Sequence, residues 1–355
     1  MRSRKNKKIF NLTIIIALAL SVLIFLGKTT DFLNLKNIFS LCRVSDFEDD
    51  TQDEDHNDEN HSDDGDSTVS DDNNPFLTNE NNDNASPSVD GRAANSPIMY
   101  VHVMNVGKAD SIYIRCANKN ILIDAGDHES EENIIGYLKR QGLNSLDLVV
   151  ATHPHTDHIG GMYKIIENFH ISNFLMPEIP EKIFPKSRSY TNMISALNSK
   201  NVSAQRPEVG KVLNVGLMKI TILAPGRQYD DNMNNNSIVL LIKYGDKKFL
   251  FMGDAEKESE FDILRRNFDL KSDFIKIGHH GSRTSTTDEF LSKVSPLYAV
   301  ISTSYGRNAN FKNARQDPPA VRILNKYRAK IFRTDINGTI VFSSNGKNLR
   351  VKCQK

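Results

Sequence analysis

Only three cysteines occur in 355 residues, Cys42, Cys116 and Cys353. An odd number with one member outside the folded region argues against a disulfide framework, although a Cys116–Cys353 pair stays open if the last strand lies near the strand carrying Cys116. No aromatic-rich basic stripe is present, which argues against a dedicated platform for stacking single-stranded bases. Three further gaps are local. Residues 9–27 contain no charge, residues 46–90 contain no lysine or arginine, and residues 171–253 contain no histidine.

The uncharged run, Ile9 to Gly27, is rich in Ile, Leu, Ala, Val and Phe and follows Arg2, Arg4, Lys5, Lys7 and Lys8. Nineteen residues at about 1.5 Å each suffice to cross a hydrocarbon core of about 30 Å. The basic flank is the bias of an N-terminus kept in the cytoplasm, which would put everything after Lys28 outside. The run is succeeded by Lys28, Thr29 and Thr30 rather than by a small-x-small cleavage site, so a single-pass anchor is preferred. A cleaved, secreted form and a buried core helix are the alternatives.

From Asp46 to Asp90 there are seventeen Asp or Glu. Such a stretch cannot bury enough apolar area to offset its ordering entropy, and its like charges repel, so a disordered spacer is expected. Weak divalent-metal binding through His56 and His61 is the alternative reading. The resulting division is a basic flank (1–8), an anchor or signal segment (9–27), a linker (28–96) and a single folded domain (97–355). The whole chain carries +1, yet residues 91–355 hold 37 Lys or Arg against 26 Asp or Glu, a net of +11. A basic surface concentrates polyanions such as nucleic acid, phosphorylated polymers or anionic lipid, although a merely lysine-rich surface has the same count.

Periodicity within the domain predicts strands at 99–104, 111–115, 120–124, 148–151, 171–176, 218–223, 238–244, 248–252, 274–277 and 297–302, with more near 330, 340 and 349. Helices are predicted at 131–141, 158–168, 190–199, 256–266, 287–293 and 319–326. Hairpins at both ends and helices between strands favour a two-sheet α/β sandwich over one doubly wound sheet.

Chemistry concentrates where the short strand at 148–151 runs into Thr152-His-Pro-His-Thr-Asp-His158. In an extended segment His153 and His155 point to one side, and Asp157 and His158 follow round a tight turn that Gly160 and Gly161 permit. One pair suits one metal and the next pair a second metal nearby. Asp254 ends another apolar strand, where a carboxylate is costly unless paired or metal-bound; bridging two ions is its expected role, and capping the following helix the alternative. His279 and His280 end a third strand. His280 is expected as ligand, and His279 as the group that contacts the scissile phosphate or leaving group.

On these residues the chain resembles the metallo-β-lactamase superfamily, and more narrowly the β-lactamase-like domain of the ComEC/Rec2 family of DNA-uptake competence proteins. The narrower likeness spans about 97 to 345. It rests on Asn105-Val-Gly-Lys-Ala-Asp-Ser111, Leu122-Ile-Asp-Ala-Gly126, Asn235-Asn-Ser-Ile-Val239, Phe251-Met-Gly-Asp254, Lys276-Ile-Gly-His-His-Gly-Ser282 and Phe332-Arg-Thr-Asp335. The resemblance implies an αββα fold and a dinuclear hydrolase, with nuclease activity proposed for channel-linked members. It implies His153 and His155 on the first metal, Asp157 and His158 on the second, and Asp254 between them. Asp110 and Asp124 match acidic positions beneath the site, expected to orient a ligand histidine. Asn236, Lys276 and Ser282 are further candidates for supporting the site or touching substrate, with Lys276 and Arg283 adding positive potential at the rim.

Two departures stand out. Many superfamily members place another histidine where 171–253 has none, which leaves the first metal weaker or completed by water. The final loop reads Gln316-Asp-Pro-Pro319 instead of carrying a histidine before proline, so Arg307 or Arg315 would have to replace a substrate contact. With one candidate span the chain does not itself form a DNA-conducting pore, and a free-standing anchored enzyme is expected. Two divalent ions, Zn2+ or Mn2+, would polarise a phosphoryl oxygen and acidify a bound water. The leading expectation is a metal-dependent phosphodiester hydrolase, most simply a nuclease acting on DNA or another phosphate-containing polymer, monomeric by default. Hydrolysis of a phosphocholine or other small ester and non-catalytic binding of a polyanion are the competing expectations.

Overall fold

The computed structural model describes residues 96–304 and 317–355. The chain opens with the meander β1 (Met99–Val103), β2 (Ile112–Cys116) and β3 (Lys119–Ile123). It continues through α1 (Glu131–Arg140), β4 (Ser145–Leu146), β5 (Leu148–Val150), α2 (Thr156–Ile159), α3 (Met162–Asn168), β6 (His170–Ile171), β7 (Phe174–Leu175), α4 (Arg188–Ser199) and β8 (Ala204–Gln205). The second half holds β9 (Val212–Val215), β10 (Met218–Ala224), β11 (Val239–Tyr244), β12 (Lys247–Phe251), α5 (Lys257–Leu264), β13 (Phe274–Lys276), α6 (Asp288–Val294) and β14 (Tyr298–Ile301). It closes with α7 (Ala320–Lys326), β15 (Lys330–Arg333), α8 (Thr334–Asn337), β16 (Ile340–Ser344) and β17 (Leu349–Cys353).

Among the described residues these strands build an eight-stranded sheet, β17-β16-β1-β2-β3-β5-β7-β8, and a seven-stranded sheet, β15-β14-β13-β12-β11-β10-β9, with β4 and β6 forming a separate parallel pair. Each sheet is antiparallel on one side and parallel on the other, through β3-β5-β7-β8 and β12-β13-β14-β15 respectively. The alternation of strand side chains explains the layering. In β1, Met99, Val101 and Val103 enter the core between the sheets; in β12, Phe249 and Phe251 do the same while Leu250 faces outward. Phe274 sits in that core against Phe249, Phe251 and Phe342, with ring centroids 5.0–5.7 Å apart. Aromatic pairs at such spacings add about 0.5–1.5 kcal/mol each beyond their buried area.

The outer face of the first sheet is covered by Ile134, Ile135 and Leu138 of α1, Ile165 of α3, and Met193 and Leu197 of α4. Ile263 of α5, Phe290 and Leu291 of α6 and Leu324 of α7 cover the second. The expected two-sheet α/β sandwich is therefore the observed architecture. Local departures have local causes. The helix expected across 158–168 divides into α2 and α3 at Gly160-Gly161, where the chain passes so close to Asp127 that a Cβ on Gly160 would lie 2.6 Å from its backbone. The expected option of a Cys116–Cys353 bridge is corrected. Cys116 pairs with Met99 and Cys353 with Ile340, which itself pairs with Val103, so the two thiols lie toward opposite ends of β1 and both are free.

Among the described residues no helix is long and apolar enough to cross a membrane. The run 9–27, the acidic stretch 46–90, and Arg307, Arg315 and Gln316 fall outside the described residues.

Candidate metal centre

Every expected ligand leaves the C-terminal end of a parallel strand, the place where open α/β sheets gather ligands. Beyond β5 come His153, His155, Asp157 and His158; beyond β12 comes Asp254; beyond β13 come His279 and His280. The turn after β12 needs a glycine: Gly253 has φ +54°, and a Cβ there would sit 3.0 Å from the Thr152 side chain. That close approach sets Asp254 against the histidine-rich segment.

Asp254 is the hub. Its Oδ1 lies 3.2 Å from His158 Nε2. Its Oδ2 lies 3.6 Å from His280 Nε2 and 3.9 Å from both His153 Nε2 and His279 Nε2. His280 Nε2 is also 3.2 Å from Asp157 Oδ2, and His153 Nε2 is 3.0 Å from His155 Nδ1. Capping is not the role of Asp254: the N-cap position of α5 is Glu256, and Asn235 Oδ1 accepts from the Glu256 and Ser259 amides.

One donor atom from each of Asp157, His158, Asp254 and His280 falls within 4.8 Å of the others. His158 Nε2, His280 Nε2 and Asp254 Oδ1 are buried without a hydrogen-bond partner. Three unsatisfied lone-pair carriers converging on one point would be costly in a closed interior, and imidazole with carboxylate is the donor set of a divalent ion. The residues fit such a group.

The supports behind the donors are specific. Asp124, fully buried with φ +59°, accepts from the Thr152 amide (2.8 Å) and the Thr152 hydroxyl (2.7 Å) and contacts His158 Nδ1 at 2.7 Å. It thereby directs Nε2 of His158 at Asp254. His280 is aimed by the Ser302 carbonyl, 3.1 Å from its Nδ1. Both histidines of the pair are left-handed, His279 at φ 47° and His280 at φ 50°, a conformation costing on the order of 1–3 kcal/mol that marks sites held by their surroundings.

Burial opposes charge on each of these groups, and the outcome depends on the neighbours of each. Burial pushes the His158 imidazolium down, but Asp254 and Asp124 hold it well above its ordinary value. Burial pushes Asp254 up, but His158 and His280 hold it well below the carboxylate range. Burial likewise pushes Asp157 up, but the neighbouring His280 and His158 hold it below its ordinary value. His153 is held well below its ordinary value, first by burial and then by the neighbouring His158. A pocket that favours a proton on His158 this strongly is negative in potential and suits a cation.

Three expectations change. Lys276 is not at the rim: it is fully buried, and its ammonium donates to Asp110 Oδ2 (2.7 Å) and the Ile277 carbonyl (2.9 Å). Asp110 accordingly neutralises Lys276 and stays 3.9 Å from His280 Nδ1, so it does not itself orient that imidazole. Asn236 faces away from the donors, clamping Tyr229 through both backbone groups and the Asn232 carbonyl. Ser282, half-buried, bonds the Thr284 hydroxyl and borders an open groove of about 970 Å³ that also includes Arg283, Asp317 and Arg322. The residues missed were Glu256, Asn234, Thr284 and Thr152. Glu256 accepts from Thr284 Oγ1 (2.7 Å), Asn234 Nδ2 (3.0 Å) and Asn232 Nδ2 (2.8 Å) and lies 2.9 Å from His279 Nδ1. Burial raises the Glu256 carboxyl, but the bonds from Thr284, Asn234 and Asn232 bring it below its ordinary value.

The sheet sandwich and the cluster of imidazole and carboxylate donors at its strand ends together define a metallo-hydrolase. A family model described as the Metallo-beta-lactamase superfamily matches residues 104–305, and the chain belongs to that superfamily. Within it the chain is similar to the ComEC/Rec2 competence proteins. It is 27% identical over 260 residues to ComE operon protein 3 of Bacillus subtilis, covering 68% of this chain and 32% of that protein. It is 29% identical over 248 residues to Competence protein ComA of Neisseria gonorrhoeae, covering 68% and 32%. The chain thus spans about a third of the length of these relatives. Among solved structures, the metallo-beta-lactamase fold protein YhfI from Bacillus subtilis covers 70% of this chain and 100% of its own, at 12% identity and TM-score 0.45.

Proposed function

We propose that this chain is an extracytoplasmic phosphodiester hydrolase acting on DNA, working with two divalent ions, Zn2+ or Mn2+. The observation that carries the reading is the convergence of Asp157, His158, Asp254 and His280, in which His158 Nε2, Asp254 Oδ1 and His280 Nε2 have no hydrogen-bond partner. His153, His155 and His279, outside that cluster, supply donors for a second ion. Bound there, such ions supply Lewis-acid charge for a phosphoryl oxygen and a water that ionises near neutral pH.

The chain's own residues set the rest. Asp124 and the Ser302 carbonyl hold His158 and His280 in one orientation each, so the donor set is preorganised. Asp157, 36% exposed, and His279, 26% exposed, are open members of the cluster, so a phosphodiester approaches from their side. DNA as substrate is supported by the excess of eleven basic residues over 91–355 and by relatives named for competence. An anchor at 9–27 with the domain outside is supported by the basic flank before an uncharged run, and protease protection in intact cells tests it.

The primary test uses the purified full chain on single- and double-stranded DNA beside bis-p-nitrophenyl phosphate and phosphocholine esters, with Zn2+, Mn2+ or chelator, and Asp254→Ala as control. DNA cleavage that needs the ion and vanishes in the control is expected. Turnover of a small ester with intact DNA would replace this reading by that of a surface ester hydrolase, and ion-dependent DNA binding without any turnover by that of a binding protein.

A further inference from the structure

We propose that Glu256 is a positioning residue: it fixes His279 as the Nδ1–H tautomer, making His279 Nε2 a donor to an ion on the His153–His155 side of Asp254. The idea rests on the two-ion reading above and names what stands in for the histidine missing from 171–253.

Hydrogen-bond logic assigns the tautomer. Glu256 is 7% exposed, and its carboxylate receives two side-chain amides, from Asn234 and Asn232, and the Thr284 hydroxyl. Amide N–H2 groups can only donate, so the carboxylate is defined as an acceptor. His279 Nδ1 lies 2.9 Å from Glu256 Oε1 and 3.1 Å from Thr284 Oγ1, whose own hydrogen goes to Glu256; both neighbours therefore accept, so Nδ1 carries the hydrogen and the lone pair of the neutral ring stays on Nε2. That Nε2 lies 3.9 Å from Asp254 Oδ2, the distance at which His153 Nε2 approaches the same oxygen.

The backbone holds the pair in place from both ends. The His279 amide donates to the Gly253 carbonyl at 3.2 Å, and the Glu256 amide donates to Asn235 Oδ1 at 3.0 Å. A carboxylate behind an imidazole raises its basicity and sets its direction, and loss of such a partner typically weakens ion binding about 10–100-fold. His280 lacks this device, since its Nδ1 faces the Ser302 carbonyl. Although His280 Nε2 approaches the same Asp254 Oδ2 at 3.6 Å, it converges with Asp157 and His158 in a cluster that does not include His279.

Counting Zn2+ by equilibrium dialysis of the full chain, with Co2+ absorption as a readout of imidazole coordination, tests this without substrate. Asp254→Ala supplies the blank for ions retained elsewhere, including the acidic segment 46–90. The wild type should hold two ions above the blank. Glu256→Gln should weaken one of them about 10–100-fold and leave the other unchanged, and His279→Ala should weaken the same ion. The double variant should bind no worse than His279→Ala alone, because Glu256 acts through His279; a merely structural role would add. Wild-type affinity for both ions in Glu256→Gln, equal weakening of both, or additive losses would overturn the assignment. A wild-type chain with one ion would overturn the two-ion reading along with it, whereas absence of DNA cleavage would touch only the substrate.

Discussion

Replacing Asp124 by Asn tests whether the donor set is aimed from behind. The carboxylate accepts three hydrogen bonds, from the Thr152 amide, the Thr152 hydroxyl and His158 Nδ1. Asparagine keeps one acceptor for the Thr152 amide and turns an N–H2 toward His158. His158 Nδ1 must then accept, the ring hydrogen moves to Nε2, and that atom, 3.2 Å from Asp254 Oδ1, becomes a donor to the carboxylate instead of a ligand. Binding an ion requires reversing that tautomer against its new bonds. The expected loss of affinity is about 10–100-fold, or about 1.4–2.8 kcal/mol. Because a ligand stabilises the folded state by RT ln(1 + [L]/Kd), the same amount disappears from the ion-induced stabilisation at saturating Zn2+. At about 2–4 °C per kcal/mol for a domain of this size, the rise in Tm on adding Zn2+ shrinks by about 3–11 °C relative to wild type. Scanning each protein with chelator and with Zn2+ isolates the increment from any change in the apo form. An identical increment in Asp124→Asn would refute the claim that Asp124 sets the direction of His158.

Lys276→Met leaves Asp110 buried with its cation removed, and breaking a buried pair in this way costs about 3–5 kcal/mol. Adding Asp110→Asn should restore part of that loss in urea unfolding; a double variant no more stable than Lys276→Met would show that the pair is not the source. His102 gives a pH signature in chelated protein. Burial first, then the charge of Arg115, lowers its pKa from 6.5 to about 3. Between those values the unfolded chain binds the proton and the folded chain does not, so stability falls as pH drops from about 6.5 toward 3, by up to about 1.4 kcal/mol per unit. His102→Leu should lose less stability than wild type between pH 6.5 and 4, and parallel losses would refute the assignment.

Much of this molecule is legible in one dimension because its signals are local. The strands that bury alternate side chains, such as Met99–Val103, announce themselves by period, and four donors within six residues need no fold to be noticed. What escapes periodicity is short or exposed. The strands β4, β6 and β8 have two residues each, and β9 shows no buried position. Lys276 reads as a rim charge because nothing near it in sequence reveals Asp110, which is 166 residues away. Glu256 escapes for the same reason: it meets Asn234 and Thr284 across separations of 22 and 28 residues, and such partners leave no spacing pattern. Asn236 shows the converse. A motif position that resembles a site residue is used here to clamp Tyr229, and only its orientation tells the two roles apart.

The distribution of unfavourable features argues that this end of the sandwich is kept for binding. Asp110, Asp124, His158, Asp254, Lys276 and His280 are all buried ionisable groups gathered at neighbouring strand ends. Buried ion pairs are seldom more stable than well-packed apolar replacements. Asp124, His279 and His280 also hold left-handed backbones there, and four polar atoms of those buried groups, on Asp110, His158, Asp254 and His280, stay unsatisfied. The opposite, purely apolar solution is available to the same fold a few residues away, in the core around Phe274 and Phe342. A sequence that places its violations of local consistency in one cluster, and packs an orthodox core beside it, is one whose cluster is completed by something that is not protein. A divalent cation satisfies the carboxylates and the imidazole lone pairs together and offsets the carboxylate charge, whereas an anion would be repelled by both kinds of group.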